Sequence, residues 1–324
     1  MRRISAALVV PLLAGLALVG CGSSGSADPN SAVTVSGAFG KAPVVHIPAA
    51  TASSKLAITT PITGKGQVIP SSDDVLANLA IYVWSGKTHK LLESTFTQFP
   101  AVVPADIGLK GLAQAVKGKK AGSRVLAVLP PKFGYGTAGN SNLGVTKNDT
   151  TVWVVDLIKP LSPTASAVGA QVSTGGGTLP TVTAATGTAP VIKVPKTAPP
   201  TGMITKTLIQ GTGPVVTAGQ TAVVQYVASI WRTGAVFNST WPSSSSPGLP
   251  FSFTVGGTGV IPGFGKGIEG AKVGSRVMIV IPPADGYGAS GQPSAGIKGT
   301  DTLVFVVDVL DAVPGNSGAS ASAG

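Results

Sequence analysis

Gly274-Ser275-Arg276-Val277-Met278-Ile279-Val280-Ile281-Pro282-Pro283-Ala284-Asp285-Gly286-Tyr287-Gly288 is the stretch on which the fold turns. Arg276 to Ile281 reads as a strand, and Pro282-Pro283 stops it, because proline brings no N–H to a ladder. The same pattern stands 152 residues earlier, as Gly122-Ser123-Arg124-Val125 and Gly134-Tyr135-Gly136. Residues 111–156 align without a gap on 263–308, with 21 of 46 positions identical. Upstream, 43–84 align on 190–231 at an offset of 147, with nine of 42 identical, Trp84/Trp231 among them. A period near 150 is far too long for a solenoid, so these are tandem domains.

Within a unit the apolar period is mostly two. Val224, Tyr226, Ala228 and Ile230 share one face of a strand; Leu303, Phe305, Val307 and Val309 share one face of another. Phe264 and Ile268, four apart after a Pro-Gly start, mark a short helix. Each unit is therefore expected to be an α+β domain, one antiparallel sheet wrapped on one short helix.

Composition narrows the chemistry. Of 324 residues, 44 are Gly and 26 Pro, and only 11% are charged, which excludes a coiled coil, a long-helix bundle and a charge-rich disordered chain. One Cys and two His allow no disulfide within the chain and no Cys/His zinc cluster, so no metal and no cofactor is expected. His46 lies in an extended run and His89 in a polar turn; both read as surface residues. Gly265-Lys266-Gly267-Ile268-Glu269-Gly270 meets a dinucleotide fingerprint in letters only, since no βαβ unit surrounds it.

The amino terminus reads as an address. Arg2 and Arg3 precede an uncharged apolar stretch, so residues 1–20 are expected to be a signal peptide. Leu18-Val19-Gly20-Cys21 resembles the bacterial lipobox, which implies lipidation at Cys21 and anchoring to the extracytoplasmic side of the cell membrane. From there the expected order is a flexible tether at 21–41, a first domain at 42–159 and a Thr/Ser/Gly/Pro linker at 160–188. A second domain at 189–313 and a disordered tail at 314–324 complete it.

The second unit resembles the FKBP-type peptidyl-prolyl cis-trans isomerases, the family that binds tacrolimus. The likeness is carried by Gly211-Thr212-Gly213-Pro214, Val223-Val224-Gln225-Tyr226, Val236-Phe237-Asn238-Ser239 and Pro250-Phe251-Ser252-Phe253. It continues through Val260-Ile261-Pro262-Gly263-Phe264, Gly286-Tyr287-Gly288 and Leu303-Val304-Phe305, in order and at family spacing. It implies two tandem FKBP-like domains, X–Pro segments of exported proteins as substrates, and tacrolimus-like macrolides as ligands. No nucleic acid is expected as partner, and the chain is expected to be a monomer.

The chemistry itself asks little. Rotation about an X–Pro bond crosses a barrier of roughly 18–20 kcal/mol set by partial double-bond character. The planar ground state is more polar than the twisted transition state, so a dry aromatic slot removes an advantage that water gives the former. One donor aimed at the carbonyl holds the chain while the proline side turns. By resemblance, the catalytic set is Tyr226, Phe237, Asn238, Tyr287 and Phe305, with Phe251, Val260, Ile261 and Phe264 binding substrate and Ile297 on the rim. Asn238 departs from the family's usual Asp, and Phe264 from its frequent Trp.

The first unit is the poorer copy. Leu79, Leu92, Glu93 and Leu112 stand opposite Tyr226, Phe237, Asn238 and Phe264, while Phe99, Tyr135 and Trp153 stand opposite Phe251, Tyr287 and Phe305. It is expected to be a degenerate domain used for binding or spacing. Lys110, Lys117, Lys119, Lys120 and Arg124 form a basic run there, suited to anionic headgroups or acidic polymer.

Overall fold

The computed structural model describes residues 28–315. The expected signal peptide at 1–20, the expected lipidation site Cys21 and residues 316–324 lie outside the described residues. The first half contains β1 (Thr34–Ser36), β2 (Val44–His46), β3 (Ala57–Ile62), β4 (Asp74–Ser85), β5 (Thr88–Ser94), β6 (Ala101–Val103), α1 (Lys110–Val116), β7 (Arg124–Leu129) and β8 (Thr150–Leu161). The second contains β9 (Gly169–Gln171), β10 (Thr181–Thr183), β11 (Val191–Lys193), β12 (Ile204–Gly211), β13 (Gln220–Ile230), β14 (Val236–Ser239), β15 (Phe251–Thr254), α2 (Pro262–Ile268), β16 (Arg276–Ile281) and β17 (Leu303–Pro314).

Each half is built on an antiparallel sheet. In the first the order is β3-β7-β8-β4-β5, with β6 also on β4; in the second it is β14-β13-β17-β16-β12-β9, with β15 also on β13. The helix lies on one face, and the alternating residues read from the sequence point at it: Val224, Ala228, Ile230, Phe305, Val307 and Val309 form one buried cluster with Phe264 and Ile268. The counterpart cluster in the first domain gathers Leu79, Leu112, Val125, Ala127, Trp153 and Val155.

The outer faces are covered too, and this corrects the expected boundaries. Residues 28–41 are not a flexible tether: β1 pairs with β2, and Val33 and Ile47 are buried against Trp84, Leu126, Val128, Val152 and Val154. Residues 160–188 are not a free linker either. β8 runs to Leu161, β9 pairs with β12, and the hairpin of β10 and β11 buries Val182 on Leu208, Trp231, Met278, Val280, Val304 and Val306. The physical reason is that strands such as Leu303–Val309 are apolar on both faces, and an uncovered apolar face is costly in water.

The two hairpins are one repeated element. β10 and β11 stand at the 147-residue offset from β1 and β2. Trp84 Nε1 donates to the Ala50 carbonyl at 2.9 Å and Trp231 Nε1 to the Thr197 carbonyl at 3.0 Å, again at equivalent positions. The repeating unit thus starts upstream of both expected domains. Pro314 still belongs to the last strand, so the expected tail begins at least one residue later.

The domains touch through the same face of each. Leu76, Leu161 and Val223 are fully buried together, with Val102, Ile158, Leu310 and Val313 packed around them. Leu76 and Val223 are equivalent positions of the repeat, as are Ile158 and Leu310, and Leu161 and Val313. Such a contact has the form of an isologous dimer interface held within one chain.

Candidate active site

Tyr226 and Phe305 come from neighbouring strands: β13 and β17 pair with Tyr226 opposite Val307 and Ala228 opposite Phe305. Period two then directs both rings to the helix side. Phe251 enters from β15, opposite Val224. The Tyr226 backbone N–H donates to Thr240 Oγ1 at 2.8 Å, and Thr240 N–H returns a bond to the Tyr226 carbonyl at 3.1 Å, which fixes the strand beneath the ring.

The helix is made from Pro-Gly-Phe-Gly-Lys-Gly-Ile, a poor helix former by propensity. Its glycines are there for approach. A Cβ at Gly267 would lie 2.5 Å from Ile279 Cδ1, and one at Gly263 would lie 2.6 Å from Ile281 Cγ2. Pressed this close to β16, the helix carries Phe264 into the centre of the aromatic set. Its ring centroid is 5.2 Å from that of Phe305, 5.6 Å from Tyr226 and 5.1 Å from Phe253.

The product is an open cavity of about 400 Å³ lined by Tyr226, Phe251, Thr258, Gly259, Val260, Ile261, Phe264, Tyr287 and Phe305. Seven of these nine were expected from the sequence, and no charged side chain is among them. Phe264 is the floor, only 3% exposed. Tyr287 lines the cavity while 37% exposed, and its hydroxyl has no hydrogen-bond partner among the described residues. The Ile261 N–H, just before the helix, likewise points at no acceptor among them. Tyr287 and Ile261 both line the slot, whose other polar side chains are the Tyr226 phenol and the Thr258 hydroxyl.

Three expected residues sit differently. Phe237 does not line the cavity; it braces Phe305 from behind, edge to face at 5.8 Å. Asn238 also lies outside it and accepts the Tyr226 hydroxyl proton through Oδ1 at 2.9 Å. Ile297, expected on the rim, is 2% exposed and belongs to the core cluster, because its backbone is pinned to Gln292 by two hydrogen bonds and its side chain turns inward. Thr258 and Gly259 were missed, since small residues in a loop carry no chemical signal. Tyr226 has its phenol held above the usual 10.0, first by burial and then by the neighbouring Tyr287, so it stays protonated.

In the first domain Leu79 and Leu112 replace two of the aromatic walls, and Trp153 a third. Leu79, Leu112 and Trp153 are buried in the core, and Trp153 Nε1 donates to Thr151 Oγ1 at 3.0 Å. Phe99, counterpart of the cavity wall Phe251, instead lies beside Gly315 at the end of the second domain. Of the expected basic run, Arg124 is withdrawn: it is fully buried, paired with Asp156 at 2.6 Å.

Comparison with known proteins agrees with this geometry. The profile of the family described as FKBP-type peptidyl-prolyl cis-trans isomerase matches residues 62–158 and again 213–310. The chain belongs to that family. An FK506-binding protein of Streptomyces anulatus is 36% identical over 121 residues, which are 37% of this chain and 94% of that protein. The isomerase FkpA of Escherichia coli is 34% identical over 114 residues, 35% of this chain and 39% of that protein. Its crystal structure covers 35% of this chain and 49% of that one at 33% identity, with a TM-score of 0.31. The three FKBP domains of wheat FKBP73 align over 80% of this chain and 95% of that one at 20% identity, with a TM-score of 0.31. The match of the FKBP profile to both halves establishes the repeat as two domains of one family, each preceded here by a hairpin that the profile does not reach.

Proposed function

We propose that the second domain is a peptidyl-prolyl cis-trans isomerase, and that the first is a non-catalytic companion. The observation that carries this reading is the uncharged 400 Å³ cavity over Phe264, whose aromatic Tyr226 and Phe264 are replaced in the first domain by the aliphatic Leu79 and Leu112. A prolyl ring entering the slot leaves water, and its imide loses the solvent stabilisation of the planar, polar form. We assign the Tyr287 hydroxyl and the Ile261 N–H, both without a partner among the described residues, to hold flanking carbonyls while the imide turns. A ~10⁴-fold acceleration needs only about 5.5 kcal/mol, within reach of desolvation and two donors. Tacrolimus-like macrolides would enter the same slot.

The substrates we assign are X–Pro segments of exported proteins, met at the extracytoplasmic side of the cell membrane. The support is the amino-terminal sequence, with its Arg2-Arg3 start and lipobox-like run to Cys21. Asp28 caps the turn Pro29–Ala32, so lipidation at Cys21 would leave six residues between the anchor and that turn. That span is at most about 25 Å, which keeps the first domain close to the bilayer.

A protease-coupled X–Pro peptide assay on the intact chain tests the activity. Phe305→Ala is expected to lower kcat/KM by about 30-fold or more, the size of a lost buried ring. Trp153→Phe in the first domain should leave the rate unchanged. A wild-type rate equal to the uncatalysed one would replace the enzyme by a binding protein with the same fold, which Asn238 in the place of the family's acid would then explain. For the anchor, Cys21→Ser should release the protein from membranes.

A further inference from the structure

Arg124 and Arg276 are equivalent residues, and they are not equally satisfied. Both are buried and both make a two-point ion pair across neighbouring strands. Arg124 bonds Asp156 at 2.6 and 2.8 Å, and Arg276 bonds Asp308 at 2.5 and 2.7 Å. Arg124 then spends its remaining donors on the turn between β1 and β2. Nη1 gives to the Gly37 carbonyl at 2.9 Å and the Ser36 carbonyl at 3.4 Å, and Nη2 to those of Ala38 at 2.9 Å and Lys41 at 2.8 Å. Arg276 has no carbonyl partner among the described residues. The corresponding turn of the second hairpin stands off, and a cavity of about 340 Å³ opens between Ser166–Gly169, Gln171, Ala184–Thr186, Ile209 and the Arg276 side chain.

The Arg276 side chain is 94% out of solvent, and its open Nη1 donors reach solvent at this cavity, where an entering acceptor would take the place of water. Asp308 already balances its charge and also accepts the Ala167 N–H at 2.9 Å. A carboxylate or phosphate entering beside Asp308 would meet a like charge at short range. Neutral carbonyl oxygens meet none, and the first domain shows the arrangement they adopt on this fork.

We propose that the Arg276 cavity is a second binding site, which takes a tight turn of small residues from another polypeptide by its backbone carbonyls. Arg276 shares its parity in β16 with Met278 and Val280, on the sheet face opposite the helix. A chain held here does not obstruct the aromatic slot, so the site suits a holding contact for an unfolded chain.

The test is a nuclear magnetic resonance titration of the intact protein with an end-capped Ser-Gly-Ala-Phe-Gly-Lys peptide, the sequence of residues 36–41. Shifts are expected at Ala167–Gly169, Ala184–Thr186 and Arg276, with a dissociation constant near or below about 1 mM. Ala185→Trp, which fills the cavity from an exposed wall without touching the ion pair, should weaken binding about tenfold or more. Arg276→Lys should do the same while keeping a cation for Asp308. No shifts at about 10 mM peptide, equal affinity in the Ala185→Trp protein, or the same shifts produced by inorganic phosphate would each overturn the proposal. Shifts confined to Tyr226, Tyr287 and Phe305 would also overturn it, since the peptide would then be reading the slot.

Discussion

Lys159 Nζ lies 2.9 Å from Asp311 Oδ2, and these two residues are the same position of the two repeats. A face that meets its own counterpart would ordinarily place like beside like. Here one copy carries a cation and the other an anion, so the charge pattern favours pairing of first with second domain over second with second. The pair is partly exposed, 42% and 20%, and its own worth is small, about 0.5–1 kcal/mol. Asp311→Lys is expected to lower the unfolding free energy by about that amount and to loosen the domain pair in small-angle scattering. Adding Lys159→Asp should restore both. A double variant no better than the single one would show that Leu76, Leu161 and Val223 hold the interface alone.

Asp74 is a second charge worth testing, because it is buried with half a shell. Its Oδ1 accepts the Ala105 N–H at 2.9 Å, while Oδ2 has no partner among the described residues. Burial, and to a lesser degree Asp73, raise its carboxyl above the usual 3.8. A raised acid binds its proton more tightly folded than unfolded. Stability is therefore full below pH 3.8 and declines as pH rises through the folded value. Asp74→Asn keeps the acceptor for Ala105 and removes the charge. It should raise stability at neutral pH by about 1 kcal/mol and flatten the acid side of the profile. A stability unchanged at pH 7 would mean that the carboxylate is solvated after all.

The hairpin of β10 and β11 is the lid of the second sheet, and disrupting it should be costly. Val182, 5% exposed, is its anchor among Leu208, Met278, Val280, Val304 and Val306. Val182→Asp puts an unpaired charge there and is expected to cost about 3 kcal/mol or more. Trp231, whose indole N–H is held by Thr197, should report the change as a red-shifted fluorescence. By the same reasoning a fragment beginning at residue 163 should melt cooperatively, whereas one beginning at 201 should expose the outer face and bind hydrophobic dyes. Equal melting of the two fragments would deny the hairpin any structural weight.

How much of this could be read in the sequence depended on how each residue signals. The strand ending at Pro282-Pro283 and the helix over Phe264 and Ile268 were legible, because each has both a period and a stop. The slot was legible as seven aromatic and aliphatic residues at family spacing. What escaped was anything expressed by small residues. The hairpins are three-residue strands in stretches rich in Thr, Ala, Gly and Pro, which look like tethers until their few Val and Ile find the outer face. Ile297 escaped for a related reason: its two bonds to Gln292 decide its direction, and backbone pinning leaves no mark in the letters. The change in the first domain was half visible, in Leu79 and Leu112, but not in Phe99, whose neighbour Gly315 is far along the chain.

Tyr226 ties the slot's electrostatics to a measurable profile. Its phenol is kept above 10.0 by burial and by Tyr287, and its hydroxyl proton is committed to Asn238 Oδ1 at 2.9 Å. No other ionisable side chain than the two tyrosines lines the cavity. If the second domain isomerises X–Pro bonds, kcat/KM should therefore be flat from ~pH 6 to ~pH 9, with no histidine or carboxylate step. Above the unfolded tyrosine value of 10.0 the unfolded chain ionises while native Tyr226 keeps its proton, so stability falls as pH rises beyond that point. Tyr226→Phe removes the hydroxyl and frees Asn238. It should lower kcat/KM about fivefold through lost positioning of the wall, and should abolish Tyr226's part in the alkaline loss of stability. A rate that steps near pH 6–7 in the wild type would instead place a titrating group in the reaction that the slot does not contain.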